Sequence, residues 1–293
     1  MKAVWSFEPK SQDSAAIRGM MNLLGQFTER PRDTIVSFVV TENETYLHTA
    51  FDVPAKERLT SYPKRLILDE LKKAKVRIDP INVRILHKPT LSTTASVQCL
   101  LKFASTQKAD LIALYTNNKK GLERLIMGSF AETAIHHSKI DLLLAGPKTT
   151  YPSKVRSIFF TCDFGPRTRR DIRRVLDLCK RIRAHLTVFH AAEVTYRWSL
   201  DESNPEILAY RKKTKSMAEW IERECEKSQV PCSVVIKSEF ESIPNLIFKE
   251  ARSAKADLIV VSAKVGPLAA LMGGSVTRNI VRQGTHPVLI LKR

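Results

Sequence analysis

Two copies of one α/β domain, each a five-stranded parallel sheet covered by helices on both faces, are written into these 293 residues. Internal repetition is the first sign. Lys108-Ala109-Asp110-Leu111-Ile112 returns as Lys255-Ala256-Asp257-Leu258-Ile259, 147 residues later, and Gly128-Ser129 returns as Gly274-Ser275. Ser6-Phe7-Glu8-Pro9 lines up with Asp163-Phe164-Gly165-Pro166. The second sign is the alternation of short Val/Ile/Leu runs with amphipathic stretches, the pattern of buried parallel strands joined by helices. The third is a Pro-, Gly- and Thr-containing stretch at 146–153 that reads as a linker. Domain one is therefore expected at 1–147 and domain two at 153–293.

In domain two the apolar run 157–162 predicts the first strand. The segment 167–183 follows as a helix, because Ile172, Val175, Cys179 and Ile182 recur at three- and four-residue steps with arginines on the other face. Strands are expected at 186–190, 232–236, 258–261 and 287–291, and helices at 205–228, at 243–253 and from Gly274-Ser275 onward. Domain one follows the same course, with strands at 34–40, 82–86, 111–114 and 141–144.

Composition removes many function classes. The net charge of +18 divides as +7 in residues 1–150 and +11 in residues 151–293. Such a balance permits non-specific attraction to nucleic acid but does not locate a surface for it. No apolar run nears the ~20 residues of a membrane helix, and the start is charged too early for a signal peptide. The five cysteines are scattered and form no CxxC pair, which argues against a disulfide framework or zinc ribbon and for a reducing cytoplasm. The ten glycines form no dinucleotide fingerprint and no Walker loop, and neither GxSxG nor HExxH occurs. No metal site is expected.

Open parallel sheets bind ligands beyond the carboxyl ends of their strands. In domain two that points to Asp163, to the loop 262–266 and to the helix start at Gly274-Ser275. Glycine lets a backbone N–H approach an anion, and a helix N-terminus supplies unpaired donors, although Ser is also an ordinary N-cap.

These motifs resemble the universal stress protein family in its tandem form. The carriers are 158–164, Ala256-Asp257-Leu258-Ile259-Val260-Val261, Gly274-Ser275-Val276 and His286-Pro287-Val288-Leu289-Ile290. The resemblance implies Rossmann-like domains of the adenine-nucleotide α-hydrolase type. It also implies an Asp that meets adenine and a phosphate loop of the form Gly-x-x-Gly-x9-Gly-[Ser/Thr]. Carried over, Asp163 takes the adenine position and Ala191 runs along the base. Gly274, Ser275 and Val276 close the phosphate loop, and Lys264 and Gly266 lie in its shortened first part. The opening Gly-x-x-Gly is missing. Domain one departs further: Ser6 stands at the Asp position, Tyr115 and Asn118 replace the two glycines, and only Gly128-Ser129 remains.

The resemblance thus implies a non-catalytic stress-response binding or switch module, with ATP or AMP in domain two only and Mg only alongside ATP. The two domains would form an internal pseudo-dimer, and two chains could form a homodimer. The competing reading is a member of the family's non-nucleotide branch that binds nucleic acid or a protein partner through its basic surface. Among remaining candidates, His136-His137 with Glu132 reads as a surface pair, His190 as a core or turn residue, and Cys162 as an unreactive thiol raised by its Asp163 neighbour.

Overall fold

The computed structural model describes residues 1–9, 11–41, 61–88, 92–116, 129–192, 204–237, 242–262, 280 and 284–292. Its contacts divide the chain into two compact units, Met1–Ser153 with Val281–Arg293, and Lys154–Ile280.

The first unit opens with β1 (Ala3–Ser6), α1 (Ser14–Phe27), β2 (Thr34–Thr41) and α2 (Ser61–Lys73). It continues with β3 (Val83–Lys88), α3 (Thr93–Thr106), β4 (Leu111–Tyr115), α4 (Ser129–His137) and β5 (Asp141–Ala145). These five strands are all parallel, in the order β3-β2-β1-β4-β5. Four residues make β1 too short to show a periodicity, yet Ala3, Val4 and Trp5 are completely buried.

The second unit repeats the pattern with β6 (Ser157–Thr161), α5 (Thr168–Ile182), β7 (His185–Ala191), α6 (Pro205–Lys227), β8 (Cys232–Lys237), α7 (Ile243–Ser253) and β9 (Leu258–Ser262). Its strands are parallel and ordered β9-β6-β7-β8, the same permutation as β4-β1-β2-β3. The last strand, β10 (Val288–Leu291), runs antiparallel to β5 and clusters with the first unit. Its four side chains are buried there, so an apolar strand at the end of the second repeat covers the edge of β5.

The repeated Lys-Ala-Asp has a structural explanation. Lys108 and Lys255 both take a left-handed backbone, φ 53 and φ 49, where a helix ends. Ala109 N–H then donates to Ala104 C=O and Ala256 N–H to Ala251 C=O, each at 2.9 Å. The aspartate that follows clamps the neighbouring strand. Asp110 Oδ2 accepts the Lys2 N–H at 2.8 Å, and Asp257 Oδ2 accepts the N–H groups of Arg156 and Ser157 at 2.7 and 3.0 Å.

These clamps fix the registers and revise one expectation. Leu111 pairs with Ala3 and its repeat partner Leu258 pairs with Ile158, so β1 and β6 correspond at a step of 155 residues. The same step carries the buried Ile17, Met20, Leu24 and Phe27 of α1 onto Ile172, Val175, Cys179 and Ile182 of α5. Ser6 therefore corresponds to Thr161, and the counterpart of Asp163 is Glu8. The Phe-x-Pro shared by Phe7-Glu8-Pro9 and Phe164-Gly165-Pro166 is a coincidence of sequence that shifts the alignment by two residues.

Removing residues 284–293 should destabilise the first unit, although they close the second repeat. Each of the four buried β10 side chains contributes roughly 1.5–3 kcal/mol. Limited proteolysis should then cut within residues 1–153 first; unchanged resistance there would contradict the assignment of β10 to that unit.

Candidate functional site

The carboxyl ends of β6, β7 and β9 carry the polar side chains of the second unit. Beyond β6 the chain turns sharply at Asp163-Phe164-Gly165. Asp163 is exposed, and its Oδ1 accepts the Gly165 N–H at 2.9 Å. A Cβ on Gly165 would lie 2.8 Å from that oxygen, so glycine here is what lets the carboxylate fold back over the turn. Phe164 sits at φ 51, a left-handed conformation that costs a side-chain-bearing residue about 1–2 kcal/mol.

That strained backbone places the Phe164 ring on the His190 ring, with centroids 4.1 Å apart and planes 9° from parallel. His190, 4% exposed at the end of β7, has both ring nitrogens within 3.0 Å of a partner, Nδ1 of the Cys162 carbonyl and Nε2 of the Tyr210 hydroxyl. The Cys162 carbonyl accepts only if Nδ1 carries the proton, so Nε2 accepts from the Tyr210 hydroxyl in the neutral ring. The expectation of a core histidine holds, and its ring nitrogens serve as a brace.

The same brace ends the β6–β7 ladder. Cys162 N–H donates to the Phe189 carbonyl at 3.0 Å, while the Cys162 carbonyl is taken by His190. Ala192 N–H donates to the Lys237 carbonyl at 2.7 Å, which directs the N–H and C=O of Ala191 itself away from β8 and toward the β6 side, past the last rung. A donor and an acceptor of the main chain thus stand beside the Asp163 turn.

The base of the site is a carboxylate that the sequence, read alone, does not single out. Asp171, in the first turn of α5, is 0% exposed. Its Oδ2 accepts the Ser262 hydroxyl at 2.7 Å, and the Nε atoms of Arg170 and Arg167 approach to 3.5 and 3.9 Å. An aspartate inside a run of arginines carries no apolar signal, so only its helical phase, one residue before Ile172, could have marked it as inward. Two further arginines of α5, Arg169 and Arg173, are occupied locally. Arg173 pairs with Glu224 at 3.4 Å, and Arg169 lies 5.1 Å above the Trp220 ring.

The 155-residue step puts Ala16 where the second unit has Asp171, and the repeat puts Tyr115 where it has Ser262. A small polar pair is replaced by one large phenol. Burial first, and then the Asp13 carboxylate, push the Tyr115 hydroxyl above its usual range.

Of the sequence-derived residues, Asp163 follows β6 and Ala191 ends the neighbouring strand β7, while Ser6 and Tyr115 lie on the first unit. Lys264, Gly266, Gly274, Ser275, Val276, Asn118 and Gly128 lie outside the described residues, as does the Ser129 side chain. The Cys162 thiol is pushed up to about 12, by burial first and by Asp163 and Asp171 only after it. Sequence reading also kept the cysteines apart. Cys225 and Cys232 share a hydrogen bond, and that bond together with burial raises the Cys232 thiol. A helix end and a turn separate them by seven residues, so no CxxC spacing announced the pair.

Two outcomes follow from these environments. Asp171→Ala leaves the Ser262 hydroxyl without its acceptor and takes a buried counter-charge from Arg167 and Arg170, and should cost roughly 2–4 kcal/mol in denaturant unfolding; a loss under about 0.5 kcal/mol would show the carboxylate to be dispensable. Cys162 ionises with difficulty only when folded, so its contribution to stability is complete below about pH 9 and falls as pH rises toward 12. At pH 8 iodoacetamide should label Cys162 in the unfolded chain and leave it intact in the folded one, as read by peptide mass spectrometry.

A family model described as "Universal stress protein family" matches residues 33–145 and 154–292. Universal stress protein MJ0531 of Methanocaldococcus jannaschii is 36% identical over 76 residues, 26% of this chain and 44% of that relative, so the match spans less than half of the relative's length. Two solved structures share the fold. One is a universal stress protein from Archaeoglobus fulgidus, with a TM-score of 0.65 and 15% identity over 99% of this chain and 96% of that one. The other is PA1789 from Pseudomonas aeruginosa, described as functionally unknown, with a TM-score of 0.61 and 16% identity over 100% and 92%.

Proposed function

The chain belongs to the universal stress protein family and carries the family's domain twice, and we propose that its second unit is a non-catalytic switch module that binds an adenine nucleotide. The observation that carries this reading is that the exposed Asp163 carboxylate and the Ala191 main chain, whose N–H and C=O are directed away from β8, lie at neighbouring strand ends. An exocyclic amine needs an acceptor such as Asp163, and the ring edge of a purine needs a donor and an acceptor such as those of Ala191. Arg167 and Arg170, at the start of α5, add positive charge on the side where phosphates would extend. We assign Lys264, Gly266, Gly274, Ser275 and Val276 to the phosphates, with ATP or AMP as ligand and Mg accompanying ATP.

The first unit is not assigned a nucleotide. It keeps an acidic residue, Glu8, at the position of Asp163, but the Tyr115 side chain stands where the second unit has the Ser262 hydroxyl. A phenol there takes up space that a phosphate would need. We place the protein in the cytoplasm, in keeping with its five scattered cysteines.

Differential scanning fluorimetry with ATP tests the assignment. A ligand at a hundred times its dissociation constant adds about 2.7 kcal/mol, and Asp163→Ala should remove that gain while Glu8→Ala keeps it. Equal losses in both variants, or no gain in the parent chain, would overturn the assignment to the second unit.

A further inference from the structure

The first unit has a second concave surface at the opposite end of its sheet, where β2 and β3 begin. It is a groove of about 1690 Å³, larger than the ~300–1,000 Å³ of most small-molecule pockets. One wall is the end of α1 and the turn after it; the other is the end of α2 and the segment leading to β3. Both walls are stiff. Each is finished by a short 3-10 turn that starts with proline, Pro31–Asp33 and Pro80–Asn82. Lys75, at φ 58, holds the corner after α2, where Val76 N–H donates to the Leu71 carbonyl at 2.8 Å.

The groove has an apolar floor and a cationic rim. Leu68, Val76, Ile78 and Ile81 line it, and Ile81 is 61% exposed despite its size. Five basic and two acidic residues line it as well, and the acids are already engaged. Glu29 lies 3.8 Å from the N-terminal ammonium, and Asp79 accepts the Ile81 N–H at 2.9 Å. Arg30 pairs with Asp33 at 3.4 Å. Arg32, Lys72, Lys75 and Arg77 have no acidic partner among the described residues.

We propose that this groove is the docking surface for an acidic, amphipathic peptide segment of a partner protein. Its carboxylates would meet Arg32, Lys72, Lys75 and Arg77, and its apolar side chains would cover Ile78 and Ile81. Complementary charge steers such a segment in, and the apolar floor holds it. Nucleic acid fits less well, because no aromatic ring lines the groove to stack a base and an apolar floor gives phosphodiesters nothing to bind. The surface is independent of the nucleotide reading, since none of its residues belongs to the second unit.

The test is fluorescence anisotropy with the full chain and a labelled Glu/Leu amphipathic helical peptide. An oligothymidylate of equal charge serves as the competing probe. Reversing Lys72, Lys75 and Arg77 to Glu should weaken peptide binding about tenfold or more. The same reversal of Lys212, Lys213 and Lys215 on α6, which changes net charge equally, should leave it within about twofold. Ile81→Ser should weaken peptide binding several-fold and leave the oligonucleotide unaffected. All of these side chains are exposed, so circular dichroism should report native folds. Equal losses in the two triple variants, indifference to Ile81→Ser, no binding of the peptide, or tighter groove-dependent binding of the oligonucleotide would each overturn the proposal.

Discussion

Everything that the site needs depends on one carboxylate at the wrong end of the sheet. Asp257 accepts the amides of Arg156 and Ser157 at the entrance to β6, and Asp110 accepts the amide of Lys2 at the entrance to β1. A parallel strand can slide along its neighbour unless something pins it, and a slip of one residue would exchange its faces. The clamp sets where β6 starts, and therefore which residue leaves the sheet at its far end. Asp163 reaches the carboxyl edge because Asp257 holds the amino edge. The repeated Lys-Ala-Asp, the strongest sequence echo between the halves, is thus a folding element whose effect reaches the opposite edge of the sheet, one strand length away.

From a shared frame the two units diverge through few side chains. In the second, Asp171 draws Ser262 and two arginines into a compact polar base. In the first, Ala16 and Tyr115 stand at those positions, so volume replaces polarity. Carboxylates persist at the turn after the first strand in both, as Glu8 and Asp163. The difference between the units is therefore in the base of the site more than in the residue that would read a purine edge.

How much of this could be read from sequence depended on whether a residue's role was local. Strands such as β5 and β9 were legible because continuous Val/Ile/Leu runs have few other uses, and the inward face of α5 was legible from its spacing. The alignment of the first strands failed because it rested on a shared Phe-x-Pro, whereas the register is set by hydrogen bonds to β4 and β9 a hundred or more residues away. Asp171 was hidden for a related reason. A buried charge is recognisable only through its partners, and Ser262 lies 91 positions along the chain. The terminal strand was found by its apolar content, but its antiparallel pairing with β5 leaves no trace in composition.

The central claim is that a purine sits against Asp163 and Ala191 of the second unit. A crystal structure of the full chain grown with a non-hydrolysable ATP analogue tests it most directly. The account predicts density for the base within hydrogen-bond distance of the Asp163 carboxylate and the Ala191 main chain, with none at Glu8. A base bound beside Glu8, or one in the second unit that touches neither Asp163 nor Ala191, would contradict it.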